Sequence, residues 1–79
     1  MDETTYVRYE TLYDRRYDLM EMIAALRKIV SLGTVIADDA TREDYEARLA
    51  AAQFDLEETK LELDELIEQM RAEEAQENA

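Results

Sequence analysis

The side chains available for chemistry in this chain are carboxylates, tyrosines and arginines. Its 79 residues include 21 Asp and Glu, five Tyr, no His and no Cys. Without His there is no imidazole to act as general base or metal ligand. Without Cys there is no thiolate zinc site and no disulfide, and the redox compartment cannot be read. Paired helical carboxylates can hold a di-metal centre in a helical bundle, but such sites add Glu-x-x-His motifs, which this sequence cannot supply. Asp38-Asp39 lacks the ligand spacing of a calcium loop. Ser31 is the only serine and has no imidazole to activate it. These residue types predict no metal, no cofactor and no enzyme.

What remains is recognition chemistry, and two stretches carry it. TYVRYETLYDRRY, residues 5–17, packs four tyrosines and three arginines into thirteen positions. Tyr and Arg are the types most enriched at binding hot spots. DLEETKLELDELIE, residues 55–68, is dominated by acids, and at helical spacing Asp55, Glu58, Glu62 and Glu65 share one face. The charge is correspondingly lopsided. Residues 1–33 carry six acids and five bases, whereas residues 34–79 carry fifteen acids and four bases, for a total of −12. Such a field repels nucleic acid and anionic lipid and favours a basic partner.

Two helices must position these residues. The sequence has no Pro and one Gly, and the only strong punctuation is SLGTVIADDATRED, residues 31–44. Gly33 reads as a left-handed helix C-cap, with Val35 and Ile36 folding back over the last turn. Thr41 with Asp44 resembles a capping box, with Asp38 and Asp39 as alternative caps. The expectation is one domain over 1–79: helix 1 about 4–32, a loop over 33–40, helix 2 about 41–75, and a frayed tail, 76–79. The opening residues are acidic and do not read as a signal peptide. No apolar run approaches the ~18 residues of a membrane span. A soluble cytoplasmic protein is expected, or one in a host cytoplasm if a phage encodes it.

Periodicity supplies the architecture. Tyr9, Leu12, Arg16, Leu19, Ile23, Leu26 and Val30 alternate at steps of three and four. Tyr45, Leu49, Ala52, Leu56, Thr59, Leu63, Leu66 and Met70 do the same, so each helix has a heptad seam. A short connection makes the helices antiparallel neighbours. Folding the seams together pairs Leu26 with Leu49, Leu19 with Leu56 and Leu12 with Leu63. Arg16 then falls opposite Thr59, and a polar layer is expected there, with Glu58 and Glu62 as carboxylates for the buried guanidinium.

The seams leave much apolar surface over. On a wheel of ~100° per residue, Tyr6, Tyr9, Tyr13 and Tyr17 fall within about 80°, continued by Met20. Phe54 and Leu61 lie nearly opposite the seam of helix 2. One neighbour cannot cover so wide a stripe. The expected class is therefore an all-α antiparallel hairpin of two long helices, pairing into a homodimeric four-helix bundle. The interface expected for self-association or a partner is Tyr6, Tyr9, Tyr13, Tyr17, Met20, Phe54 and Leu61. In function this predicts a small acidic interaction module, a structural adaptor or assembly factor. The alternative is an inhibitor, of the kind phage and other mobile elements encode, whose acidic helix 2 blocks a basic or nucleic-acid-binding site on a larger protein. A nucleotide stacked on Tyr with its phosphate on Arg8, Arg15 or Arg16 is a weaker third reading, since nothing Gly-rich cradles a phosphate. Direct nucleic-acid or membrane binding is not expected.

Overall fold

The computed structural model describes residues 2–32 and 38–77. Helix α1 runs Glu3–Ser31 and helix α2 runs Asp39–Glu77, and the two pack side by side as a hairpin. Among the described residues there is no strand. The molecule is a rod about 62 × 15 × 15 Å, matching the ~1.5 Å rise per residue of α2. The expected C-cap at Gly33 and the return of Val35 and Ile36 lie outside the described residues.

Both helices start by the same device. The Thr5 amide donates to Asp2 Oδ1 at 2.7 Å, and the Thr41 amide donates to Asp38 Oδ1 at 2.6 Å. Each Asp thus satisfies an amide that a helix N-terminus leaves without an intrahelical partner. These hydrogen bonds favour the ionised form and hold both carboxyls below their ordinary value of 3.8. Thr41 is therefore a first-turn residue of α2 and not its cap. Three positions upstream of Thr41, the Asp38 carboxylate reaches that amide, so the helix begins two residues before the expected 41. At the other end α2 continues through Gln76 to Glu77.

The core follows the seams, in two pieces. One cluster holds Leu19, Ile23, Leu26 and Ala52, flanked by Tyr45, Leu49 and Leu56. The other holds Leu12, Leu63 and Leu66, flanked by Tyr9, Ile67 and Met70. Between them sit Arg16 and Thr59. Thr59 is the most buried of the polar residues, 2% exposed, and its hydroxyl donates to the Asp55 carbonyl at 2.7 Å. The hydroxyl proton is thus satisfied within its own helix, and no hydrogen bond joins Thr59 to Arg16.

Arg16 is half-buried, and its Nε is buried without a hydrogen-bond partner. The expected pairing with Glu58 and Glu62 is not formed: both acids are exposed, and the ion pairs among the described residues lie within α2, at Arg42–Asp39, Arg48–Asp44 and Lys60–Glu57. The reason is position on the wheel. Arg16 lines a cleft with Tyr13, Tyr17 and Met20 on one flank of the hairpin, whereas Glu62 occupies the opposite flank of the seam.

A buried donor left unpaired costs ~1–3 kcal/mol. Arg16→Met should therefore raise the urea midpoint of unfolding, by up to about that amount of stability, with the helical spectrum unchanged. For the cap, Asp38→Ala should lower the midpoint at pH 7. A depressed folded-state pKa stabilises above the unfolded value and loses that contribution as pH falls through the folded value. The gap between Asp38→Ala and the parent should accordingly narrow once the pH is taken below 3.8.

Candidate interaction surface

The tyrosine stripe emerges from α1 as an exposed flank. Tyr6, Tyr13, Tyr17 and Met20 are 48%, 51%, 60% and 48% exposed. Tyr9, which belongs to the seam, is half-buried against Leu12, Leu63 and Leu66. It joins core to surface: its ring stacks on Tyr13 with centroids 6.1 Å apart and planes 29° from parallel. The stripe is thus an outward continuation of the core.

The phenol groups of Tyr6 and Tyr17 each have a carboxylate one helical turn away. A hydrogen bond to the Glu10 carboxylate raises the Tyr6 pKa above its ordinary value of 10.0, and Glu21 does the same for Tyr17. Both pairs are i,i+4, the spacing at which side chains meet along a helix. The exposed rings are the apolar surface this flank offers to a partner. The spacings Tyr6–Glu10 and Tyr17–Glu21 are visible in the sequence.

Two shallow clefts run along the flank. Tyr13, Arg16, Tyr17 and Met20 line one of ≈190 Å³. That is below the ~300–1,000 Å³ of a drug-sized ligand site, which weighs against a nucleotide seated on Tyr and Arg16. Tyr6, Tyr9, Tyr13, Glu10 and Asp14 line the other, and its carboxylates would repel a phosphate. Farther along, Met20, Ala24 and Arg27 of α1 face Gln53 and Lys60 of α2 across a third groove.

The other expected site residues stand apart from this flank. Phe54 and Leu61 are each 63% exposed, on the face of α2 turned away from α1. Glu58, Glu62 and Glu65 are exposed, and Asp55 is half-buried beside the seam. Arg8, Arg15 and Arg16 form no ion pair with these acids among the described residues. Lys60 pairs instead with Glu57, at 3.5 Å. Among the described residues no three acids converge as a metal-binding group, and no helix is long and apolar enough to cross a membrane.

No protein-family model matches the chain, and neither curated proteins nor solved structures offer a significant match.

Proposed function

We propose that this protein is a non-enzymatic interaction module that works by self-association, two hairpins forming a four-helix bundle through the tyrosine flank of α1. The observation that carries this reading is the row of Tyr6, Tyr13, Tyr17 and Met20, about half exposed and continuous with the core through Tyr9. A hairpin whose core is two small clusters gains most from covering such a row, and small helical chains commonly acquire stability by oligomerising. Two-fold pairing is the commonest closed solution. The product would be an adaptor or assembly factor in the cytoplasm, presenting its acidic faces outward.

A second reading is favoured by one observation. Glu58, Glu62 and Glu65 are exposed and unpaired by any base among the described residues. A helix rises ~1.5 Å per residue, close to the ~1.7 Å of axis per charge in duplex DNA. A strongly acidic helix can therefore approach DNA in charge density on one side and compete for a basic protein surface. On this reading the protein is an inhibitor of a nucleic-acid-binding partner.

Sedimentation equilibrium at near-physiological salt separates the readings. Self-association predicts a mass about twice the 9.3 kDa chain, and Tyr13→Ala with Tyr17→Ala should return it to the single-chain mass. A folded parent protein that stays monomeric at all concentrations would remove the first reading. For the second, the protein should displace labelled duplex DNA from a basic, non-specific DNA-binding protein. Reversing Glu58, Glu62 and Glu65 to Lys should abolish displacement. Reversing Glu73, Glu74 and Glu77 to Lys, with the same change in net charge, should leave it.

A further inference from the structure

The exposed flank of α1 carries a second heptad seam. Tyr6, Glu10, Tyr13, Tyr17, Met20, Ala24, Arg27 and Ser31 succeed one another at alternating steps of four and three, and all eight are exposed. This seam lies ~100° around the helix from the Leu/Ile seam, close to the right angle between neighbouring contacts at a corner of a four-helix bundle. It holds one acid, Glu10, and one base, Arg27.

Resting on the self-association reading, we propose that this seam closes antiparallel on the same seam of a second copy, about a two-fold axis between Tyr17 and Met20. Four layers then repeat on either side of the axis. Tyr17 meets Met20 of the second copy, Tyr13 meets Ala24, Glu10 meets Arg27, and Tyr6 meets Ser31. Every ring faces a flexible or small side chain, as interdigitating layers require. The only base of the seam faces its only acid. The sequence of the seam is complementary to its own reversal, which is what a two-fold interface demands.

The neighbouring registers do worse. Sliding the axis by half a heptad toward the N-terminus sets Tyr13 against Tyr17 and buries Glu10 against Met20. Sliding it the other way runs Tyr6 and Glu10 past the end of α1 and leaves Arg27 against a ring. Glu10 is exposed in the single chain, so its carboxylate has lone pairs open to the incoming guanidinium. The register does set Asp14 near Glu21 of the second copy, at an exposed rim where water and salt screen the repulsion.

The layer Glu10–Arg27 makes the register testable by charge exchange. In Glu10→Arg, two Arg pairs face each other per dimer, and in Arg27→Glu, two Glu pairs do. Each variant alone should associate at least about tenfold more weakly than the parent. Mixed in equal amounts, the two should recover as a heterodimer with an apparent Kd within about threefold of the parent's. The mixed pair has the same net charge as the parent dimer, so recovery reports the specific layer and not overall repulsion. The chain carrying both changes should also homodimerise as the parent does. Sedimentation equilibrium on the parent, each variant and the mixture reads all of this. A parent that is monomeric overturns self-association itself. A parent dimer whose single variants are unaffected, or are weakened without recovery on mixing, overturns this seam while self-association stands.

Discussion

The polar layer formed by Arg16 and Thr59 governs the rest of this molecule. It interrupts what would otherwise be one continuous apolar seam and divides the core into two small clusters. Thr59 tolerates burial by donating to the Asp55 carbonyl, but Arg16 finds no acceptor for its Nε. A polar residue at a seam position trades stability for register or oligomeric state, and the hairpin carries that trade at its centre. No described side chain other than Thr59 is as little as 2% exposed. The two-helix unit therefore rests on a small core, and an exposed aromatic flank lies beside the same layer.

That surface is built from one heptad repeat placed next to another. The inner seam of α1 is aliphatic and faces α2. The outer seam, aromatic in its N-terminal half, runs alongside it, and the two touch at the stack of Tyr9 on Tyr13. Tyrosine suits this boundary because its ring can pack while its hydroxyl stays in water. The acids are arranged differently. Most lie on α2, the ion pairs among the described residues lie within that helix, and Glu58, Glu62 and Glu65 are left facing outward. The hairpin thus separates an aromatic flank suited to close packing from an acidic one suited to long-range attraction.

Much of this was legible in the residue order. The alternation of three and four steps from Tyr9 to Val30 and from Tyr45 to Met70 specifies two amphipathic helices, and the absence of Pro lets each run long. The coincidence of Arg16 with Thr59 in one layer followed from the same spacing, because heptad positions determine which residues share a face. So did the surplus of apolar surface on α1 and the outward setting of Phe54 and Leu61.

Spacing alone did not say what a side chain does once it is on its face. Asp38, Asp39 and Thr41 are all plausible caps by type, and only the observed hydrogen bond assigns the role to Asp38. Arg16 has Glu58 and Glu62 nearby in the register, yet it lines the cleft with Tyr13 and Tyr17. Its long stem can lean to either flank of the seam, and it lies on the flank of Tyr13, Tyr17 and Met20. The sequence by itself determined the helices, their pairing and the location of the polar layer, because these depend on periodicity. Tertiary structure decided which carboxylates cap and which side of the seam receives the guanidinium, because these depend on distances between side chains that a repeat does not encode.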